Sequence, residues 1–282
     1  MYANLLRREL SERNRRYQQK YALSGVLSYG SAPVVVYEPG MDRHGNFHPA
    51  SYGAISEKPD WQKRLAKVHT AYRTSLPKAD RKWRELDSST SSDALLMNVF
   101  CFPGVLETAA VQHMLGVEGA HAPQFGWKAR VPLADGKFDR TEVDMRLGDL
   151  LVECKLTEAD FQSKAKAVVD TYRDFKEVFN RRELPQSKEK YEGYQLIRNV
   201  LAAQALGCSF CVMTDARRPD LIEFWYSVMR CVKVHDLRTR CKVLTWQELS
   251  VVLPDDLNEF LDEKYGIRPG PVTPYPFEHL QD

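Results

Sequence analysis

The chain of 282 residues is 43% hydrophobic and 28% charged, enough apolar material for a sizeable core and too much for a disordered chain. No run of about 18 apolar residues occurs, and the first twenty residues, MYANLLRRELSERNRRYQQK, lack an apolar signal core, so neither a membrane span nor export is expected and the cytoplasm is the expected location. The net charge of +2 is unevenly spread: residues 1–20 carry +4 and residues 58–84 carry +7, leaving the rest at −9. A basic N-terminal third attached to an acidic remainder fits a grip on a polyanion beside an acid-bearing centre, and equally a pair of solvated helices.

In chain order, residues 2–20 read as a polar helix. "SAPVVVYEPGMDRHGNFHPASYGAI" reads as a short strand and a loop rich in Gly, Pro, His and aromatics, with His44 and His48 packing the loop rather than binding metal. A helix is expected from Lys58, because Trp61, Leu65, Val68 and Tyr72 recur at helical spacing while Lys63, Arg64, Lys67 and Arg73 occupy the other face. "DSSTSSDA" is a polar break with Ser92 or Asp93 as the N-cap of the next segment. "PGVLETAAVQHML" reads as an apolar helix interrupted by the lone acid Glu107.

Two strands, 141–147 and 150–156, are joined at Gly148–Asp149. Helices are expected at 158–180, with Phe161, Ala165, Val168, Tyr172, Phe175 and Phe179 as its stripe, and at 188–206, closed by Gly207. "CSFCVMTD" reads as a buried strand, "PDLIEFWYSVMRCV" as a helix opened by Pro219, "CKVLTW" as a strand, and 254–265 as a last helix before a Pro-rich tail. The six cysteines read as reduced thiols, and the Cys208–Cys211 pair lies in a strand without a second such pair to complete a zinc site. This order packs most simply as an α/β fold, a mixed central β-sheet flanked by helices.

The hairpin "EVDMRLGDLLVECKL" carries the chemistry. Alternation puts Glu153 and Lys155 on one sheet face, with Val152, Cys154 and Leu156 on the other. Folding back at Leu147–Leu150 brings Asp144 toward Glu153 on the partner strand. Two carboxylates side by side repel, and a divalent cation removes the conflict; a hard oxygen site suits Mg²⁺. The lysine can then orient or help deprotonate a metal-bound water, which suits phosphodiester hydrolysis. An ordinary hairpin with a cross-strand salt bridge satisfies the same spacing. Glu107 needs a partner or an ion, and Gln195 and Arg198, three apart on the later helix, share a face that can carry polar groups toward the same site.

The series Glu107, Asp144, Glu153-Cys154-Lys155, Gln195 resembles the PD-(D/E)xK restriction-endonuclease-like nucleases over about residues 91–250. "HGNFHPASYGAI" and "SSDALLMNVFCFPG" are similar to a bacterial branch of that superfamily whose role is unsettled. The resemblance implies a restriction-endonuclease-like core at 91–282 and a basic, mostly helical extension at 1–90. It implies metal ligation by Asp144, Glu153, Glu107 and the Cys154 carbonyl, water positioning by Lys155, and a polar role for Gln195. Mg²⁺ is the implied cofactor, with Mn²⁺ able to substitute. Val143 stands where the proline that names the motif would precede Asp144.

The expected activity is therefore a Mg²⁺-dependent endonuclease. Its expected phosphate contacts are Lys63, Arg64, Lys67, Arg73, Lys164, Lys166, Arg198, Arg217 and Arg218. DNA is preferred over RNA as partner, and a homodimer fits a single centre that must cut two strands. A catalytically silent module binding nucleic acid or protein, or an RNA-cutting nuclease, are the alternatives. No Walker loop, dinucleotide fingerprint or Ser-His-Asp signature is present.

Overall fold

The computed structural model describes residues 1–29, 32–40, 42–68, 83–270 and 272. By its internal contacts the chain divides into two compact units: residues 1–120 with 246–282, and residues 121–245. That division differs from the expected one at residue 90, because the second unit is an uninterrupted stretch set within the sequence of the first.

The first unit opens with α1 (Tyr2–Lys20), whose narrow stripe of Leu6, Leu10 and Asn14 is buried while the rest of the helix is charged. β1 (Gly25–Leu27) and β2 (Val35–Tyr37) form an antiparallel pair. Short helices α2 (Pro49–Glu57) and α3 (Pro59–Leu65) each start at a proline. Trp61 of α3 is buried, with the Lys58 ammonium 3.7 Å above its ring. The helix expected from Lys58 is present only as far as Leu65: Lys67 and Val68 lie beyond its end, Val68 bridged to Arg84, and Tyr72 and Arg73 lie outside the described residues.

α4 (Ser92–Phe100) is buried along its whole length and capped by Ser91, whose hydroxyl accepts the Ala94 N–H, one residue before the expected cap. The single apolar helix expected over 103–115 is instead a series of turns followed by α5 (Ala109–Leu115), so Glu107 sits exposed on a turn. Gly104, with φ +83, falls within that turn run.

The second unit holds β3 (Gln124–Lys128), β4 (Val131–Pro132), β5 (Phe138–Asp139), β6 (Glu142–Leu147) and β7 (Leu150–Cys154). After them come β8 (Ser163–Ala165), α6 (Lys166–Val169), α7 (Phe175–Val178), β9 (Lys190–Glu192) and α8 (Tyr194–Leu206). It ends with β10 (Ser209–Thr214), α9 (Pro219–Met229), α10 (His235–Thr239) and β11 (Cys241–Thr245). The central sheet has five strands in the order β11-β10-β7-β6-β3; β7, β10 and β11 run parallel, and β6 is antiparallel to both β7 and β3. This is the mixed sheet expected, with α8 and α9 packed on the face that carries Leu151, Phe210 and Val212.

Gly148, at φ +58, opens the two-residue loop of the β6–β7 hairpin, where a turn of the II′ kind takes glycine. A Cβ there would stand 2.7 Å from the His121 ring.

The helix expected over 158–180 is not formed. The Asp160 carboxylate accepts the Gln162 N–H at 2.7 Å, Gln162 takes φ +60, and the chain leaves as a strand paired with β9. Of the proposed stripe, Ala165 and Val168 are exposed, while Phe161, Tyr172, Phe175 and Phe179 reach the core from turns and short helices. Similarly, the helix expected from 188 begins only at Tyr194, after β9.

The last elements, α11 (Trp246–Ser250) and α12 (Asp255–Tyr265), belong to the first unit. There Lys264 is completely buried, donating to the Asn14 Oδ1 at 2.6 Å and the Gly45 carbonyl at 3.2 Å, with no carboxylate partner among the described residues. The rings of Tyr37, Tyr17 and Tyr265 lie 4.0, 4.9 and 5.7 Å from its nitrogen. Such rings return about 0.5–2 kcal/mol each against a desolvation of several kcal/mol, so burial holds the amine well below its ordinary range.

Between that lowered value and the ordinary 10.5 the unfolded chain holds more protons on this group than the folded chain, so the group makes stability rise with pH through that window. Lys264→Met should raise the melting temperature at about pH 7, and the gain should shrink by about pH 9.5. Thermal unfolding of both proteins at the two pH values checks this.

Candidate active site

β7 lies between β6 and β10, and all five of its residues are buried. One of the five is a carboxylate: Glu153 is 0% exposed. Its Oε1 accepts from the Lys155 ammonium at 2.8 Å and its Oε2 from the Asn199 amide at 2.8 Å. Lys155 is buried too, so the pair is an ion pair out of water, which is tolerated only where hydrogen bonds complete it.

Burial is the largest influence on the lysine and lowers its pKa. The carboxylates of Glu153, Glu158 and Asp144, with the hydrogen bond to Glu153, outweigh it and hold the pKa above the usual lysine value. The lysine is accordingly a cation and a hydrogen-bond donor.

Asn199 is oriented rather than free to flip. Its Oδ1 accepts from Arg198 Nε at 3.1 Å and Nη2 at 2.9 Å, and the same Nη2 donates to the Glu142 carbonyl at 2.8 Å. Arg198 is buried and ties β6 to α8 through Asn199, which corrects its expected place among the phosphate contacts. The start of α8 is fixed by a second network. Tyr172 and Tyr194 both donate to Asp139 Oδ2, their hydroxyls 2.8 Å apart, and the Tyr194 N–H donates to the Gln162 carbonyl at 3.0 Å.

The hairpin register pairs Met145 with Val152 and Leu147 with Leu150, so Asp144 falls opposite Glu153. The backbone ladder stops there, and the Asp144 Oδ2 accepts the Cys154 N–H at 2.7 Å in its place. A strand residue's N–H and C=O point to the same edge, so the Cys154 carbonyl faces the side of β7 where Asp144 stands. Gln195, half-buried one turn before Asn199 on α8, keeps an enclosed Oε1 with no hydrogen-bond partner among the described residues.

Asp144, Glu153 and Lys155 are therefore gathered, with Gln195 on the helix whose Asn199 bonds Glu153. Glu107 belongs to the first unit, exposed on its turn, and among the described residues no three His, Cys, Asp or Glu side chains form a metal-binding group. Two residues escaped the sequence reading. Glu158, whose Oε2 accepts the Leu156 N–H at 2.6 Å, bends the chain after the motif. Asn199 had a legible signal, since it lies four residues after Gln195 on the same helix face.

The expected phosphate contacts mostly find acidic or backbone partners. Lys63 pairs with Asp60 at 2.6 Å, Arg64 with Asp93 at 2.7 Å, and Lys67 with Glu85 at 2.8 Å and Asp93 at 3.2 Å. Arg73 lies outside the described residues. Arg217 is buried in a two-bond pair with Asp215, at 2.8 and 2.6 Å. Arg218 is buried completely. It donates to the carbonyls of Leu156, Glu158 and Ala159 and to both Asp220 oxygens, clamping the loop after the motif to the start of α9.

Lys164 is exposed and Lys166 half-buried; their ammoniums lie 5.5 Å from the Tyr194 ring and 5.4 Å from the Tyr191 ring. His44 and His48 spend ring nitrogens on their own loop: His44 on the Asn46 N–H and Asp87, His48 on the Ala50 N–H. All six cysteines are buried free thiols, as expected.

A five-stranded mixed sheet with helices packed on it, carrying an Asp and a Glu-x-Lys set on its central hairpin, defines a restriction-endonuclease-like protein. The model of the family described as restriction endonuclease associating with ARP matches residues 15–266, and the chain belongs to that family. No curated protein and no solved structure matches the chain.

Arg218→Met leaves three carbonyls and Asp220 without their donor and should cost about 3 kcal/mol, whereas Lys164→Ala should stay within about 0.5 kcal/mol. Urea unfolding of the two variants measures the difference; similar values would contradict the structural role given to Arg218.

Proposed function

We propose that this chain is a divalent-metal-dependent nuclease that hydrolyses phosphodiester bonds, with DNA as the favoured substrate. The observation that carries the reading is the buried Glu153 carboxylate, fixed by Lys155 and an oriented Asn199, with Asp144 opposite it on the same hairpin. A purely structural salt bridge has no need of the second carboxylate, or of a Gln195 oxygen on the helix of Asn199 left enclosed without a hydrogen-bond partner among the described residues.

The donor set fits a hard cation. Each Glu153 oxygen accepts one hydrogen bond and retains a lone pair, and the Asp144 carboxylate and Cys154 carbonyl face the same edge of β7. Mg²⁺, or Mn²⁺ in its place, takes one or two carboxylates and otherwise water and phosphate oxygens, so Glu107 is not required. When bound, the ion supplies Lewis acidity toward a phosphoryl oxygen and acidifies water.

The chain's own groups do the rest. Asp144 and Glu153 hold the ion, Asn199 fixes the plane of the Glu153 carboxylate, and Lys155 donates a hydrogen bond that orients the attacking water. Lys164 and Lys166, packed over aromatic rings rather than against a carboxylate among the described residues, serve the phosphate backbone.

The family description also couples the endonuclease to ARP, so a protein partner belongs to the proposal beside nucleic acid. Two copies acting on two strands complete it for a duplex. Six free thiols agree with work in the cytoplasm, and no helix among the described residues is long and apolar enough to cross a membrane.

Wild type should nick or linearise plasmid with Mg²⁺ or Mn²⁺ and not with EDTA, and Glu153→Gln and Lys155→Met should each lose about 100-fold or more. Cutting that persists in both variants would place the activity elsewhere; no cutting by wild type, with DNA bound, would favour the silent module. Lys164→Ala and Lys166→Ala should each lower the slope of log affinity against log salt by about 0.9, read from binding titrations on duplex DNA.

A further inference from the structure

The parallel ladder pairs Val212 with Glu153 and Met213 with Cys154, and the Lys155 N–H donates to the Met213 carbonyl at 2.8 Å, carrying the pairing one step further. Side chains two apart along a strand share a face, and laterally paired residues point the same way. Thr214 therefore lies on the face of Glu153 and Lys155, in the row next to the lysine.

Thr214 is 0% exposed, and its Oγ1 is enclosed without a hydrogen-bond partner among the described residues. A buried hydroxyl left unsatisfied is destabilising, and a valine of the same shape would fill the space without that penalty. The hydroxyl thus calls for a partner other than the side chains described, and a water is the simplest.

Lys155 shows which partner. An ammonium can only donate, so a water held by Lys155 through its oxygen must place its own hydrogens on acceptors. The Glu153 oxygens already accept from Lys155 and Asn199, and the lone pairs they retain are those assigned to the ion. Thr214 Oγ1, in the adjacent row, has its acceptor capacity unused.

We propose that Thr214 is a water-positioning residue of this site: its hydroxyl accepts a hydrogen bond from the water whose oxygen is held by Lys155. The inference rests on the nuclease reading and adds to it the second fixed point that sets the direction of the water's lone pair. Thr214 moves no proton and holds no metal. The loop after Thr214 is held to the loop after Lys155 by Arg218, which keeps the two rows in step.

The test compares wild type with Thr214→Val and Thr214→Ser. In the metal-free protein, a high-resolution crystal structure should show a water within hydrogen-bond distance of both Thr214 Oγ1 and Lys155 Nζ, absent from Thr214→Val. Urea unfolding should find Thr214→Val at least as stable as wild type. On plasmid with Mg²⁺, kcat for Thr214→Val should fall about tenfold or more, with KM and the Mn²⁺ dissociation constant within about twofold. Thr214→Ser should recover most of the rate.

Wild-type kcat in Thr214→Val, or no water between the two groups, would overturn the assignment. So would a Thr214→Ser as slow as Thr214→Val, which would make the methyl group the important part. A wild-type protein without metal-dependent cutting would instead remove the nuclease reading, and this inference with it.

Discussion

A carboxylate with no exposure to water, in the central strand of a five-stranded sheet, is the constraint around which the second unit is arranged. An unpaired charge in that position would cost several kcal/mol, comparable with the whole net stability of a domain. The sequence answers at short and long range at once. Lys155, two residues on, supplies the counter-charge from the same face, and Asn199 supplies the second donor from α8. Arg198 fixes that amide by binding both it and the Glu142 carbonyl. Sheet, hairpin and helix are registered against each other by this chain of bonds, so the geometry of the centre and the packing of the unit have one cause.

The same principle explains which arginines are structural. Arg217 and Arg218 sit side by side where β10 leads into α9, and each is buried with its charge met, by Asp215 or by Asp220 and three carbonyls. A planar guanidinium with five donors can close such a loop where an ammonium cannot. Arg217 braces the loop after β10 from within, and Arg218 joins that loop to the one after β7.

Much of this was legible in the sequence. The hairpin, the buried strand at Phe210–Thr214, the proline start of α9 and the glycine end of α8 all appear where short-range patterns put them. Alternation alone placed Glu153 and Lys155 together, and the hairpin offset put Asp144 opposite Glu153. What the sequence did not disclose depended on distant partners. Arg64 meets Asp93 and Arg218 meets Leu156, pairs 29 and 62 residues apart, so counting basic residues overstated the surface available to phosphates. The 158–180 stretch failed for a different reason: its aromatics recur near a helical period, but an Asp160 turn and a positive φ at Gln162 send the chain into a strand first. Glu107 looked like a helix acid because its neighbours are apolar, yet the turns around it leave it in solvent.

The division of the chain has a consequence for its synthesis. The unit that carries Glu153 and Lys155 is one uninterrupted segment, whereas the other unit is assembled from the sequence on both sides of it. Asn14 in the first helix waits for Lys264, 250 residues later, before its amide and that amine can meet. On the ribosome the second unit is thus complete while the first still lacks α12, and α1 emerges before the helix it packs with. At about 5–20 residues per second the 250 residues from Asn14 to Lys264 take roughly ten seconds to a minute, during which α1 lacks the helix it pairs with.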